Sequence, residues 1–303
     1  MKNPIITLEN ISKSYGKTRA LDCINLEIDA NQIFGIIGPD GAGKSTLFRI
    51  IATLLLPDSG SCRALGFDCV REYAHLRKII GYMPGNFSLY ADLSVEENLE
   101  FFACVFHTTI KQNYHLIKDI YHMLEPFKSR KAGALSGGMK QKLALCCALI
   151  HNPQILLLDE PTTGVDAVSR QEFWEILRAL KSQMTIIVST PYMDEASLCD
   201  TIALINSGKI LHIGAPSEIC AHYGLDLYEF YNIPIHALDT LRAQSAVKSC
   251  FLFGTCYHIA FEKDFEITHF VESLQNLKSA DFANLRYQKI PASIEDSFME
   301  FVR

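Results

Sequence analysis

A glycine-rich segment near the N-terminus, Gly38 to Thr46, constrains this chain more than any other feature. Its letters, GPDGAGKST, match the pattern G-x-x-x-x-G-K-[ST] at every fixed position. The apolar run 33–37 before it predicts a buried strand, and the run 47–54 after it predicts a helix. In that order, the loop and the start of the helix turn free backbone N–H groups toward an anion. The segment therefore predicts a phosphate-binding loop in an α/β domain.

The residue types in this loop each have a physical task. Glycines let the backbone approach a polyphosphate closely, Lys44 reaches the β- and γ-phosphates, and the Ser45 hydroxyl ligates Mg²⁺. A chance match in a glycine-rich turn is the alternative, and the flanking strand and helix argue against it. The residues expected to contact the nucleotide here are Gly38, Asp40, Gly41, Gly43, Lys44, Ser45 and Thr46.

The composition favours a globular protein of one large domain or two ordinary ones. The 303 residues are 49% hydrophobic and 20% charged, with a formal net charge of -6. The acidic balance argues against nucleic acid as a partner. No apolar run reaches the length of a membrane span, and the first residues lack the apolar core of a signal peptide. We therefore expect a cytoplasmic chain that acts at a membrane only as a peripheral subunit.

The ten cysteines are many for a cytoplasmic chain. None form a C-x-x-C pair, and no cluster of cysteines and histidines has the sequence spacing of a zinc site. Cys146 and Cys147 lie in an apolar helical pattern. We interpret them as small buried apolar residues rather than as disulfide partners or metal ligands.

A second candidate site lies where the apolar run 155–158 ends in two carboxylates, Asp159 and Glu160. Runs of this kind suit the interior of a parallel sheet. In phosphate-loop proteins a carboxylate at such a strand end holds Mg²⁺, so Asp159 joins Ser45 as a predicted metal ligand. Glu160 is the candidate general base for a water that attacks the γ-phosphate. A solvated strand end is the alternative, and the upstream phosphate loop argues against it.

Hydrophobic periodicity divides the chain into a larger part and an appendage. Strand and helix patterns alternate in the larger part, which predicts an α/β core, and alternation at 5–8 and 24–28 predicts an antiparallel β edge. Ser94 and Glu97 match a capping box that opens a helical subdomain at about 94–150. In the appendage we predict helices at 237–244, 265–277 and 294–302 and strands at 249–253, 257–261 and 284–288. The predicted domains are 1–222, which binds nucleotide, and 223–303, an α+β accessory or dimerisation domain.

A third motif, Leu135–Gln141, places two glycines before a helix in the letters LSGGMKQ. Ser-Gly-Gly alone is a turn, but together with the other two motifs it makes the chain resemble the ATP-binding cassette (ABC) family. That family's signature sequence has these letters, shortly before the strand that ends in Asp159. The resemblance covers about residues 5–215. It implies a P-loop NTPase fold, the ABC nucleotide-binding domain, with a RecA-like core, an antiparallel β edge and a helical subdomain.

The resemblance also implies a mechanism that uses ATP and Mg²⁺. Two such domains pair head to tail, and each ATP lies between one domain's phosphate loop and the other's signature loop. Ser136, Gly137 and Gly138 are thereby implied to contact the partner's nucleotide. Tyr15 matches the aromatic residue that stacks on adenine, and Asp166 matches the interdomain aspartate.

Two further segments, Pro161–Asp166 and Tyr192–Ala196, resemble the drug- and polysaccharide-export branch of the family. The implied function is the ATP-binding subunit of an exporter, whose partners are permease subunits and a second ABC ATPase domain, identical to this one or not. A nucleotide-gated regulatory subunit with little turnover is a close variant of this function. A soluble ABC ATPase that remodels a ribosome or DNA is the alternative. That class usually needs tandem cassettes or a long coiled-coil insertion, whereas this sequence shows one cassette and a short helical insert.

Two positions depart from the family pattern. After Ile80–Pro84 the family carries a glutamine, where this chain has Gly85, and after Val188–Thr190 it carries a histidine, where this chain has Pro191. Proline offers neither a side-chain donor nor a backbone N–H. Loss of one positioned donor typically costs about 10²–10³ in rate. We therefore expect ATP binding to survive and hydrolysis at this chain's own site to be slow, unless Glu160 and a group from the partner suffice.

Overall fold

The computed structural model describes residues 4–86, 88–275, 280–282 and 284–302. The chain divides after Pro216 into two compact units. Strands and helices are numbered in chain order through both units.

The first unit consists of two sheets and the helices that cover them. Its strands are β1 (Ile6–Tyr15), β2 (Thr18–Ile28), β3 (Ile33–Ile37), β4 (Ser59–Ala64), β5 (Phe67–Asp68), β6 (Ile80–Met83), β7 (Ile155–Asp159), β8 (Thr185–Thr190), β9 (Thr201–Asn206) and β10 (Lys209–Gly214). Its α-helices are α1 (Lys44–Ile51), α2 (Tyr73–Leu76), α3 (Val95–Val105), α4 (Ile110–Tyr121), α5 (Gly137–Leu149), α6 (Ala167–Leu180) and α7 (Met193–Ala196).

The central sheet has six strands in the order β10-β9-β3-β8-β7-β6. Neighbouring strands are parallel except for β10, which pairs antiparallel with β9. Every residue of β3, β7 and β8 is buried, as expected for strands covered on both faces. At the carboxyl ends, Ile37 pairs with Thr190 and Asp159 pairs with Ser189. This register brings together the loops that follow β3, β7 and β8.

The second sheet, in the order β2-β1-β4-β5, is antiparallel and confirms the predicted antiparallel edge. Leu8 pairs with Leu26, and Ile6 pairs with Ile28. Strand β1 is longer than predicted and continues to Tyr15. Register shifts beyond Leu8 break its alternation, so a period-two pattern cannot be read there.

The helical segment of this unit begins with the predicted capping box. The backbone N–H of Ser94 donates to Oε2 of Glu97 over 2.7 Å, and the N–H of Glu97 donates to Oγ of Ser94 over 3.2 Å. The bond from the Ser94 backbone holds the pKa of the Glu97 carboxyl below its usual value. Helix α4 begins at Ile110, where Thr109 caps it by accepting from the N–H of Gln112.

His151, just after α5, lies in a largely apolar setting. Its ring stacks on Phe106 with centroids 3.8 Å apart, and its Nε2 lies 3.2 Å from the carbonyl oxygen of Ile80. Burial lowers the pKa of His151 from its ordinary value of 6.5, and the bond to Ile80 opposes that shift. Below pH 6.5 the unfolded chain therefore takes up this proton more readily than the folded chain does.

We expect His151→Phe to reduce the pH dependence of folding stability. In the unmodified chain the free energy of unfolding falls as the pH drops through about 6.5, because protonation of His151 is easier after unfolding. Phenylalanine keeps a ring against Phe106 but binds no proton. Urea titrations at about pH 7.5 and 5.5 measure the decline in each protein. The same change at the exposed His115 serves as the control, and an unchanged decline in His151→Phe would contradict the assignment.

The second unit is an antiparallel sheet with helices before, between and after its strands in the chain. Its strands, in the order β12-β13-β11-β14, are β11 (Asp226–Tyr231), β12 (Ser249–Phe253), β13 (Cys256–Phe261) and β14 (Arg286–Ile290). Its α-helices are α8 (Pro216–Ala221), which starts at the division, α9 (Leu238–Arg242), α10 (Ile267–Gln275) and α11 (Ile294–Val302). One face of the sheet packs Phe230, Tyr257 and Phe261 against Phe270 and Leu274 of α10.

Most predicted elements of the second unit are confirmed within a residue or two. The strand at 249–253 and the helix at 294–302 have the predicted bounds. The strand predicted at 284–288 instead covers Arg286–Ile290, in a segment whose burial does not alternate. Residues 276 and 277 of the predicted helix lie outside the described residues. Strand β11, which lies between β13 and β14 in this sheet, was not predicted from the sequence.

Candidate nucleotide-binding site

The phosphate loop joins β3 to α1 as its letters predict. Gly43 has φ 106°, and a Cβ there would lie 2.4 Å from the carbonyl oxygen of Ala20 on β2. A Cβ on Gly38 would lie 2.1 Å from the carbonyl oxygen of Ile205. Both glycines are therefore required by close backbone approach, and Gly43 also by its left-handed conformation. Helix α1 begins at Lys44, earlier than the predicted 47, because the loop feeds directly into its first turn.

Lys44 is buried at the centre of this loop. Its Nζ donates to the carbonyl oxygens of Gly38 over 2.9 Å and Pro39 over 3.1 Å. The same nitrogen lies 3.1 Å from Oε1 of Glu160 and 3.9 Å from Oδ1 of the exposed Asp40. The ammonium group is thus held where the loop's carbonyls and two carboxylates converge.

Ser45 and Asp159, the two predicted metal ligands, lie in direct contact. Oγ of Ser45 donates to Oδ1 of Asp159 over 3.1 Å, and Oγ of Ser189 donates to the same oxygen over 2.6 Å. Asp159 is buried at the end of β7. A hydroxyl and a buried carboxylate at this distance form the oxygen-only donor set that a hard cation such as Mg²⁺ prefers.

Glu160 turns toward the same loop through an unusual backbone conformation. Its φ is 50°, in the left-handed region that few residues other than glycine adopt. Its N–H donates to Oγ of Ser189 over 3.0 Å and lies 3.1 Å from the Ser189 carbonyl oxygen. Consecutive residues of a strand point to opposite faces, and this turn instead brings Glu160 to Lys44. Strain of this kind concentrates at functional sites.

Of the two positions that depart from the family pattern, Gly85 borders these carboxylates and Pro191 follows the strand that pairs with β3 at the phosphate loop. A Cβ on Gly85 would lie 3.0 Å from the carbonyl oxygen of Asp159 and 3.7 Å from Cβ of Glu160. Pro191 directly follows Thr190, which pairs with the last residue of β3 before the phosphate loop. The ring of Tyr192, the next residue, is engaged by Arg170, whose Cζ lies 4.6 Å from the ring centroid.

Comparison with known proteins identifies the family to which this chain belongs. A family model described as ABC transporter matches residues 21–163. The Nod factor export ATP-binding protein I of Ralstonia nicotianae is 33% identical over 304 residues, which cover 98% of this chain and 93% of that protein. The chain belongs to the ABC transporter family. Its members are ATPases, and nucleotide binding is a property of the family.

Other relatives of this ABC chain carry similar names. The probable multidrug ABC transporter ATP-binding protein YbhF of Escherichia coli (strain K12) is 43% identical over 228 residues, or 72% of this chain. That alignment spans only 39% of YbhF, so this chain matches less than half of that relative. The solved structure of cbiO1 from Clostridium perfringens, part of an ABC transporter complex, has a TM-score of 0.65 at 27% identity and covers 73% of this chain and 92% of its own. A dimeric ATP-binding cassette bound to ADP and phosphate has a TM-score of 0.63 at 27% identity, covering 69% and 98%.

The signature segment of this ABC chain forms the start of α5. Ser136 is the N-cap, and its Oγ accepts from the N–H of Met139 over 3.4 Å. A Cβ on Gly138 would lie 2.6 Å from Oγ of Ser169 on α6, so that helix approaches too closely for a side chain. Gly137 is more open, and its nearest neighbour would be the carbonyl oxygen of Gly164 at 3.2 Å. Cys146 and Cys147, further along α5, are buried free cysteines as predicted.

Tyr15 ends β1, and its side chain is 48% exposed. It pairs with Thr18 across a turn in which Gly16 has φ 59°. The following strand β2 carries Ala20, whose carbonyl oxygen packs against Gly43 of the phosphate loop. An exposed aromatic ring is therefore presented next to the strand that borders this loop.

Helix α6 was not predicted from the sequence, although the sequence contains a residue type that commonly caps helices at its start. Asp166 is its N-cap and accepts from the N–H of Ser169 over 3.0 Å, a bond that lowers the pKa of the Asp166 carboxyl. An aspartate before an amphipathic run is a start signal of the kind that could have located this helix.

A buried polar network also lies beside the site, and the sequence analysis did not predict it. Oγ1 of Thr162 donates to Oε1 of Glu195 over 2.7 Å, and both residues are about 1% exposed. Arg170 Nε lies 3.6 Å from the same Glu195 oxygen. This network joins the segment that follows Glu160 to the segment that follows Pro191. Sequence reasoning missed it because its members come from three separate segments.

Proposed function

We propose that this ABC chain is the ATP-binding subunit of an exporter and acts as a peripheral protein at the cytoplasmic face of a membrane. The observation that carries the nucleotide part is the convergence of Lys44, Ser45, Asp159 and Glu160 at one edge of the central sheet. Export is supported by the names of relatives, which include multidrug and Nod factor export proteins. Within the described residues, no helix is long and apolar enough to cross a bilayer.

In this proposal ATP lies with its phosphates on Gly38–Thr46. Nζ of Lys44 exchanges the carbonyl oxygens of Gly38 and Pro39 for phosphate oxygens, which are stronger acceptors because they are charged. Backbone N–H groups at the start of α1 complete the contacts, and Tyr15 stacks on the adenine. Ser45 and Asp159 hold Mg²⁺, which neutralises charge on the β- and γ-phosphates.

Glu160 accepts the proton of the attacking water in this scheme. Its left-handed backbone directs the carboxylate to the phosphate loop, where the base is needed. Gly85 and Pro191 leave two positions beside it without a side-chain donor. Hydrolysis at this chain's own site is therefore slow, and the bound ATP serves mainly to hold a dimer closed.

The signature segment serves a second ABC ATPase domain. Ser136, Gly137 and Gly138 contact the nucleotide on that partner's phosphate loop, with the free N–H groups at the start of α5 facing its phosphates. Pairing of this kind is supported by the related cassette that is dimeric with ADP and phosphate bound. A partner that carries the usual glutamine and histidine then supplies the faster of two unequal sites.

An apolar groove in the first unit is proposed to receive a helix of the permease. Its volume is about 320 Å³, and its lining includes Met83, Leu89, Phe102, Val105 and Phe106. Met83 and Leu89 flank the segment of Gly85, which touches Asp159. A permease helix seated here therefore contacts the segment that borders the carboxylates, so that closure on ATP is transmitted to it.

Residues 1–222 carry these functions, and 223–303 form an accessory or dimerisation domain.

Purification of the tagged chain from its native membranes tests this function. Glu160→Gln, which keeps the side chain's shape but removes the base, is expected to keep ATP bound at this chain's own site during purification. The expected result is a stoichiometric complex with an integral membrane protein of several spans and a second cassette domain. Lys44→Ala, which weakens ATP binding, should recover less of the second cassette. Recovery with ribosomes or DNA and without a membrane protein would contradict export and support the alternative of a soluble remodelling ATPase.

A further inference from the structure

The second unit gathers three different metal-binding side chains on one face of its sheet. Glu229 of β11 pairs directly with His258 of β13, and Cys256 lies two residues before His258 on the same face. Their ligand atoms, a carboxylate oxygen, the thiol sulfur and an imidazole nitrogen, all lie within 4.8 Å of one another. This face is opposite the one that packs Phe230 and Tyr257 into the core.

The separations are close to those that a bound metal ion requires. Sγ of Cys256 lies 3.0 Å from Oε1 of Glu229, and Nε2 of His258 lies 3.8 Å from the same oxygen. Tetrahedral Zn²⁺ with bonds of about 2.0–2.3 Å keeps its ligand atoms about 3.4–3.6 Å apart. The two separations from Oε1 of Glu229 thus differ from that range by about half an ångström or less, and all three ligand atoms lie within 4.8 Å of one another.

His258 is oriented by a buried carboxylate on the other side of its ring. Its Nδ1 lies 2.7 Å from Oδ1 of Asp296, whose side chain is 2% exposed. Oδ2 of Asp296 is fixed by Ser293, which donates from its backbone N–H over 2.8 Å and from its hydroxyl over 2.5 Å. An N–H bond from Nδ1 to a carboxylate leaves Nε2 free as a ligand, which is the usual arrangement around a metal-bound histidine.

The two carboxylate oxygens of Glu229 have different partners. Its Oε2 accepts from the hydroxyl of Tyr231 and from Nε2 of Gln288, the latter over 2.9 Å. Its Oε1 faces Cys256 and His258. One oxygen is thus held by neighbours while the other is presented to the two remaining ligands.

We propose that Glu229, Cys256 and His258 bind a zinc ion, with Asp296 as the positioning residue for His258. A thiolate with an imidazole selects Zn²⁺ over Mg²⁺ or Ca²⁺, which prefer oxygen ligands. Three protein ligands leave the fourth tetrahedral position to water or an external ligand. The ion ties β11 to β13, and Asp296 connects it to α11. The proposal is independent of the exporter function.

Sequence spacing alone predicted no zinc site, because the three side chains of this cluster come from two strands and not from one short motif. Cys256 and His258 are separated by one residue, which places both on one face of a strand rather than in a zinc-binding loop. The third ligand lies 27 residues before Cys256 in the sequence and is brought to it by strand register. A C-x-H pair on a predicted strand is the signal that was available.

Cobalt binding to the metal-free, reduced full-length chain tests the site. Co²⁺ reports on zinc sites because a thiolate ligand gives a charge-transfer band, and an excess of Mg²⁺ keeps oxygen-only sites occupied. We expect about one Co²⁺ per chain with tetrahedral spectral bands and a thiolate band, and displacement of the cobalt by Zn²⁺. A spectrum of the unmodified chain without the thiolate band would overturn the proposal, whatever the variants do.

Variants then assign the ligands. Cys256→Ser should remove the thiolate band, and His258→Gln should weaken Co²⁺ binding at least about 100-fold. Asp296→Asn should weaken binding by about 10–100-fold yet keep the thiolate band at saturating cobalt, which a general loss of folding would not do. Cys220→Ser and His269→Ala, in the same unit, are the matched controls and should bind as the unmodified chain does. Equal affinity in Cys256→Ser and the controls would show that the cluster is only a hydrogen-bonded polar face.

Discussion

Introducing histidine for Pro191 together with glutamine for Gly85 should raise ATP turnover by about 10²–10³. The phosphate loop, Ser45, Asp159 and Glu160 already converge, so the missing parts are donors near the γ-phosphate. Position 191 follows the strand that pairs with β3 at the loop, and position 85 lies against Asp159 and Glu160. Both positions therefore adjoin the segments that carry the phosphate loop and the carboxylates, and we expect side chains introduced there to reach the reacting phosphate. Steady-state phosphate release by the purified chain, at saturating ATP and Mg²⁺, measures the gain.

Alanine variants separate the contribution of the introduced imidazole and amide groups from the effect of changing the backbone at these positions. Pro191→Ala restores the backbone N–H without an imidazole, and Gly85→Ala adds the Cβ, 3.0 Å from the Asp159 carbonyl oxygen, without an amide. Neither should accelerate turnover. Adding Glu160→Gln to the double variant should remove the gain, because a general base typically contributes about 10²–10⁴ in rate. Fast turnover of the unmodified chain, at the level of the double variant, would refute the slow-site proposal.

Lys44→Ala should weaken ATP binding by about 10–100-fold, since a hydrogen bond to a charged group contributes about 1.5–3 kcal/mol. In the structure Nζ of Lys44 already lies at the centre of the loop, against the carbonyl oxygens of Gly38 and Pro39. Its removal also leaves Glu160 without its cation, so that a carboxylate repels the incoming phosphates. Calorimetric titration with ATP and Mg²⁺ measures the affinity.

Lys209→Ala is the matched control for that loss. Lys209 begins β10 beside Gly208, whose N–H donates to the carbonyl oxygen of Ala42 in the phosphate loop. Its own Nζ is 3.4 Å from Asp22, and its side chain is 65% exposed. The substitution removes the same charge near the loop without removing a phosphate contact, and affinity should change little. Equal losses in both variants would mean that net charge, not placement, explains the effect.

The first unit was largely predictable because its signals are local. The phosphate loop Gly38–Thr46 depends only on the strand before it and the helix after it. The capping box at Ser94 depends only on residues of the same helical turn. The fully apolar run that ends in Asp159 indicated a buried parallel strand, and β7 confirms it. Helix α6 was missed although Asp166 and the amphipathic run after it were a local signal, and the longer β1 was missed because register shifts break its alternation.

The prediction of Glu160 as general base requires its side chain to turn toward the phosphate loop, and the structure shows the backbone conformation by which it does so. Alternation along a strand places it on the face opposite Asp159. The structure reverses this through a φ of 50° that is held by Ser189 from the neighbouring strand. Such a conformation persists only when surrounding structure fixes it, so it cannot be read from the residues around position 160 themselves.

The amino-acid sequence was enough to locate the phosphate loop, the two carboxylates at a buried strand end, the signature segment, and Gly85 and Pro191, which depart from the family pattern. Those are properties of residue type and short spacing, which the chain carries in its letters. Two contacts became visible in the three-dimensional structure alone. Gly85 lies against Asp159 and Glu160, and Glu229 lies close to Cys256 and His258. Both depend on strand register, because the register brings residues far apart in the chain within a few ångströms, and no local pattern encodes which strands will be neighbours.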